Sequence, residues 1–143
     1  MTKSSTAKKT ERIREAYVDT SAFIAFLDRS DSHHLLFRRL FSAPPRLVTS
    51  ALVVAEGHGW FLRRYDGNRA LQFLQFLEAL PAMTIVPFDS ADLKSATKVV
   101  QKFSDQSLTL ADAHGLVIMT ARGVPICWSM DRHLSLTGVK LAI

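Results

Sequence analysis

Apolar residues fall along the chain in short runs that change period, and polar turns separate them. Ala16-Tyr17-Val18 is a brief run whose strand propensity lies in Tyr17 and Val18. After Asp19-Thr20-Ser21 the apolar character resumes as Ala22-Phe23-Ile24-Ala25-Phe26-Leu27, with helix formers mixed in. Arg29-Ser30-Asp31-Ser32 is turn chemistry, and Asp31 or Ser32 caps a helix expected from about His33 to Phe41. Ala43-Pro44-Pro45 breaks it. Arg46-Leu47-Val48-Thr49 reads as a second strand, and Thr49 or Ser50 caps the helix that carries Ala51 to Trp60. An amphipathic helix is predicted over Gly67–Leu80, with Leu71, Leu74, Phe76, Leu77 and Leu80 as its apolar positions. Met83–Pro87 is a third strand. A helix capped by Asp89 or Ser90 then runs to about Phe103 and contributes Ala91, Leu93, Ala96, Val99, Val100 and Phe103 to the core.

Ser104 to Ala113 leads into a helix that ends near Arg122-Gly123. Pro125–Ser129 reads as a strand buried on both faces, and Lys140–Ile143 as a short last strand. Strands alternating with helices imply right-handed parallel crossovers, hence an α/β fold with helices on both faces of a mostly parallel sheet of four to five strands.

This pattern places carboxylates at particular points. Asp19 follows the first strand, at the edge of a parallel α/β sheet where loops and helix N-termini converge on ligands. Taken alone, Asp19 is most simply an N-cap. Thr109 and Asp112 have capping-box spacing, so capping also accounts for Asp112 alone. Glu56 lies four residues after Leu52 and four before Trp60, which puts it on an apolar stripe and too deep in its helix to cap it. Asp131 repeats the arrangement of Asp19: an apolar strand, a small polar residue, a carboxylate. Each acid has its own structural explanation, but the set of four shares none, and a singly wound parallel sheet brings all four to one edge. Two carboxylates about 5 Å apart repel by roughly 3 kcal/mol at an effective dielectric near 20. A cluster of four must therefore hold protons or bind cations. Oxygen-only donors of this charge suit Mg²⁺ or Mn²⁺, one or two ions, and a pair of such ions about 4 Å apart is the arrangement that activates water for phosphodiester cleavage.

Composition adds bounds. With 143 residues and 48% hydrophobic content the chain suits one domain with a proper core, expected over residues 16–143. Residues 1–15 carry Lys3, Lys8, Lys9, Arg12 and Arg14 against Glu11 and Glu15, a basic segment expected to be flexible that holds +3 of the chain's net +5. Such an arm permits a nucleic-acid partner without establishing one. No apolar run approaches the ~20 residues of a membrane span, and the single cysteine, Cys127, excludes an internal disulfide; a cytoplasmic location is expected. The adjacent His33 and His34 point about 100° apart on a helix and make a poor metal pair. His58, His114 and His133 are read as local packing or hydrogen-bonding residues, and Cys127 as core.

The chain resembles the PIN domain family, in particular its VapC-type toxin ribonucleases. The resemblance runs from Ala16 to about Gly138. It rests on Val18-Asp19-Thr20-Ser21, on Thr49-Ser50 followed by Glu56, on Asp105-Gln106 with Leu108-Thr109 leading to Asp112-Ala113, and on Ser129-Met130-Asp131-Arg132-His133. It implies a three-layer α/β/α sandwich and a metal-dependent endoribonuclease, with Asp19, Glu56, Asp112 and Asp131 as the acidic metal site. In that likeness Asp19 and Asp112 are the principal ligands, Glu56 holds or shares a metal, Asp131 acts directly or through water, and Thr20 and Ser129 orient the carboxylates. It also implies an RNA substrate, a homodimer and a cognate antitoxin. Two positions depart from the family pattern: Ala111, where relatives commonly carry Thr, and Ser107, where they often carry Asp. These keep open a catalytically weak RNA- or protein-binding module. A phosphatase of the haloacid-dehalogenase kind would need a second Asp two residues after Asp19, where this chain has Ser21.

Overall fold

A computed structural model describes residues 15–143; the expected basic tail lies, apart from Glu15, outside the described residues. Five parallel strands form one sheet in the order β3-β2-β1-β4-β5, with β1 at Ala16–Val18, β2 at Leu47–Ser50, β3 at Met83–Val86, β4 at Ile126–Trp128 and β5 at Lys140–Leu141. Helices α1 (Thr20–Leu27), α2 (His34–Ser42), α3 (Ala51–Arg64), α4 (Gly67–Ala79), α5 (Ser90–Lys102) and α6 (Leu110–Arg122) make the crossovers, with short 3₁₀ turns at Ser104–Gln106 and Arg132–Ser135.

The period of two along β1 creates the layers. Ala16 and Val18 point to one face, where Leu47 and Trp128 join them against α1 to α4; Tyr17 points to the other, with Val48 and Cys127 against α5 and α6. The first face is aromatic: Phe23 packs on Phe41 and Phe73 with ring centroids 5.8 and 5.6 Å apart, and Phe41 meets Trp128 edge to face at 4.9 Å. The second face is built mainly from aliphatic and sulfur side chains, among them Leu116, Ile118 and Met119. The expected three-layer α/β/α sandwich is the observed fold.

Element ends follow local chemistry. Ser50 Oγ accepts from Leu52 N and starts α3, and Asp89 with Asp92 forms a capping box on α5. Asp31 braces the turn before α2 by accepting from His33 N, but the helix takes no side-chain cap. Period counting misplaced a few side chains. Leu71 is 51% exposed and Leu93 46% exposed, because α4 buries the stripe Ala70, Phe73 and Leu77, while α5 meets the core only from Ala96 onward. Ala91, at the start of α5, is exposed for the same reason.

The strand order reverses direction at β1. The chain moves outward through β2 and β3, then returns to lay β4 on the other side of β1, leaving a crevice at the carboxyl ends of β1 and β4. Asp19 N donates to Trp128 O at 3.0 Å across this crevice.

Candidate functional site

Asp19 stands at the N-cap position of α1 with extended backbone, but its carboxylate makes no capping bond. It accepts instead from Ser129 Oγ at 2.9 Å and from Ser21 Oγ at 3.1 Å, and these two hydroxyls lie 3.2 Å apart. The same serines accept from the loop beyond β4, Ser21 Oγ from Met130 N and Ser129 Oγ from Asp131 N. The loop that carries Asp131 is therefore tied to the first turn of α1. Asp19 is only 6% exposed, and burial, opposed by the Ser129 bond and reinforced by the charge of Asp112, pushes its carboxyl up to about 6.

Asp112 enters from α6. Its capping box with Thr109 is present: Asp112 N donates to Thr109 Oγ1 at 3.1 Å, and Asp112 Oδ2 accepts from Thr109 N at 3.3 Å. Capping and pocket-facing are thus roles of one carboxylate. Burial raises the Asp112 carboxyl above the usual range, and the neighbouring charges of Asp131 and Glu56 add to the rise. Asp131 Oδ1 accepts from His133 N at 3.0 Å. The His133 ring lies over both acids, Nδ1 being 3.1 Å from Asp131 Oδ1 and 3.8 Å from Asp112 Oδ2. Asp112, Asp131 and His133 each offer a donor atom within 4.8 Å of the others.

Glu56 corrects the expectation of an inward carboxylate, because it is exposed. Helix α3 buries Val53, Gly57 and Phe61, and a Cβ on Gly57 would lie 2.7 Å from Phe73 Cζ. Gly57 is therefore the point of closest approach between α3 and α4, and the residue before it turns about 100° away from that contact. Glu56 is nevertheless close enough for its charge to bear on Asp112.

Thr20 was expected to orient a carboxylate beside Ser129; its hydroxyl is buried and has no hydrogen-bond partner. Ser21 bonds Asp19 instead. The sequence signal for Ser21 was a hydroxyl two positions after the acid, in the first helical turn, where a side chain can reach back to the residue before the helix. His133 was read as a local residue, and the 3₁₀ turn brings it over the acids. His114 is fully buried, with Nδ1 2.6 Å from Ser50 Oγ, and joins α6 to the end of β2.

The donor set fits a divalent cation. Asp112, Asp131 and His133 bring their donor atoms together, whereas Asp19 and Glu56 stand outside that group with Asp112 within reach of their charges, and among the described residues no Lys or Arg forms an ion pair with any of the four acids. The carboxyls of Asp19 and Asp112 are raised first by burial and then by neighbouring carboxylate charge, both of which a bound cation would offset.

Relatives share the sequence or the architecture. Ribonuclease VapC26 of Mycobacterium tuberculosis is 28% identical over 117 residues, 81% of this chain and 86% of that protein. The crystal structure of VapC20 from the same organism, a Sarcin-Ricin loop cleaving toxin, superposes with a TM-score of 0.78 at 21% identity and covers 87% of this chain and 95% of that one. VapBC2 of Rickettsia felis, solved with a DNA fragment from its promoter, superposes with a TM-score of 0.61 at 10% identity, covering 89% and 96%. The family model for the PIN domain matches residues 16–140, the whole span from β1 into β5. Matched over this span and built on the same five-stranded parallel sheet, this chain belongs to the PIN domain family.

Proposed function

We propose that the protein is a Mg²⁺- or Mn²⁺-dependent endoribonuclease and the toxin of a toxin-antitoxin pair. The observation that carries this reading is that Asp112 and Asp131 bring donor atoms together with His133, beside the buried Asp19 at the β1/β4 crevice, with no Lys or Arg among the described residues paired to these acids. Asp19 and Asp112 would be the principal ligands, with Asp131 and Glu56 completing the oxygen donors. A divalent ion held there supplies Lewis acidity, making water nucleophilic near neutral pH and neutralising charge on a departing oxygen.

The chain's own residues do the positioning. Ser129 and Ser21 fix one oxygen of Asp19, the oxygen that would otherwise be free to rotate. The Thr109 box holds Asp112. His133 leans on Asp131 and Asp112, restraining both.

The similarity to VapC ribonucleases and to VapBC assemblies supports an RNA substrate and a cognate antitoxin for this chain as well, and the reading includes a homodimer working in the cytoplasm. No helix among the described residues is long and apolar enough to cross a membrane.

Purified protein should cut RNA in Mg²⁺ or Mn²⁺ and stop in EDTA. Cleavage that survives both Asp19→Asn and Asp112→Asn overturns the assignment. RNA binding with no cleavage under any divalent ion would instead favour the binding-module reading.

A further inference from the structure

Helix α3 leads away from the pocket, and its exposed side carries a second feature. Seven residues beyond Glu56, about 10 Å along the helix axis and almost in line with it, is Arg63. Its side chain folds back toward the helix N-terminus, as long helical side chains do. The guanidinium lies over Gly59: a Cβ there would come within 3.0 Å of Nη1, 3.7 Å of Cζ and 3.8 Å of Nη2. The missing side chain at 59 leaves a notch in which the guanidinium rests close to the helix. Arg63 is exposed and, among the described residues, makes no ion pair, with Glu56 or with any other carboxylate. Its neighbours are placed differently: the Arg64 and Arg69 guanidiniums sit over the Tyr65 ring, 5.1 and 4.6 Å from its centroid.

A pocket lined by carboxylates repels the polyanion that it is proposed to cut. An RNA strand seated with one phosphate among Asp19, Asp112 and Asp131 needs cationic contacts on the phosphates beside it, outside the acid cluster. A guanidinium offers paired N–H donors to phosphate oxygens. We propose that Arg63, held in the Gly59 notch, is a substrate-positioning residue that grips an RNA phosphate flanking the one to be cleaved. This inference rests on the ribonuclease reading, and its test separates the two.

The experiment uses the full chain and a mixed-sequence single-stranded RNA oligonucleotide. Affinity is measured by fluorescence anisotropy across a salt series in the Asp112→Asn background, and cleavage kinetics in the otherwise intact protein. Arg63→Ala should weaken RNA binding about tenfold and raise KM more than it lowers kcat. It should also reduce the slope of log affinity against log salt by about 0.7, while Mn²⁺ affinity and Tm stay where they were. Gly59→Ala, which obliges the guanidinium to give way by a few tenths of an ångström, should weaken RNA binding in the same direction but less than Arg63→Ala, with Tm unchanged or higher, because alanine is the better helix former. Arg39→Ala, which removes the same charge from the exposed end of α2, is the control.

Unchanged affinity and salt slope in Arg63→Ala overturn the proposal. So does an equal loss in Arg39→Ala, which would mean that net charge alone matters. Loss of antitoxin binding with RNA affinity intact would make Arg63 a protein contact and overturn it too. If the protein cuts no RNA under any condition, the ribonuclease reading fails, whereas the salt-dependent affinity still decides the role of Arg63.

Discussion

The two ends of β1 treat a carboxylate in opposite ways. Before the strand, Glu15 receives a bidentate grip from Arg122, Nε and Nη2 each donating at 2.8 Å. After it, Asp19 receives two serine hydroxyls and no cation. Glu15 is neutralised by the fold itself. Asp19 is desolvated and then left with neutral donors, which costs free energy until positive charge arrives from outside. The difference separates a carboxylate that fastens the end of α6 to the base of the sheet from carboxylates held open for a ligand.

The comparison can be broken most directly at the acids. Asp112→Asn or Asp19→Asn should lower RNA cleavage by more than ~100-fold, beyond the cost of losing a supporting residue. Asp19→Asn should at the same time make the metal-free protein more stable at pH 8, measured by urea unfolding, because it removes an uncompensated buried charge. A variant that is inactive and also destabilised would mean that Asp19 is structural, like Glu15. Ser129→Ala comes next. Loss of the 2.9 Å bond should reduce cleavage by roughly 10- to 100-fold and weaken Mn²⁺ binding in a titration, with the fold retained. Undiminished activity would show that the hydroxyl does not orient Asp19.

The pH dependence of stability follows in size. Asp19 has its carboxyl at about 6 in the folded protein against 3.8 in the unfolded chain, so between those values the native state binds the extra proton. Stability of the metal-free protein should therefore be greatest below pH 4 as far as this group decides it, and fall by about 3 kcal/mol as pH rises through 6. Mn²⁺ should raise Tm more at pH 8 than at pH 5, since the ion replaces that proton. An equal Mn²⁺ shift at both values would place the ion elsewhere. The smallest effect belongs to the other end of the strand: Glu15→Ala should cost about 0.2–1 kcal/mol in urea unfolding, Arg122 being well exposed, and leave cleavage unchanged.

Much of this was legible from residue patterns, and the failures have particular causes. The five strands, six helices and the position of Asp19 after β1 could be read because the period switches from two to 3.6 at a polar break. The role of Asp112 was legible twice over, as a cap and as a pocket acid. The outward face of Glu56 could not be read, since counting apolar neighbours treats Gly57 as neutral, whereas its lack of a side chain sets which side of α3 meets Phe73. Ser21 and His133 were missed as partners because each depends on a turn, the first turn of α1 and the 3₁₀ turn after β4, whose direction no periodicity encodes.

The contact at Gly57 also offers an experimental lever. Alanine there would bring a methyl to 2.7 Å from Phe73 Cζ, a distance that obliges α3 to roll or lift from α4. Such crowding costs about 1–3 kcal/mol in a packed interior, enough to lower a melting point without abolishing folding. The roll would carry Glu56 and Arg63 with it while touching neither. Gly57→Ala is thus a route to a temperature-sensitive allele, competent at low growth temperature and disarmed by warming.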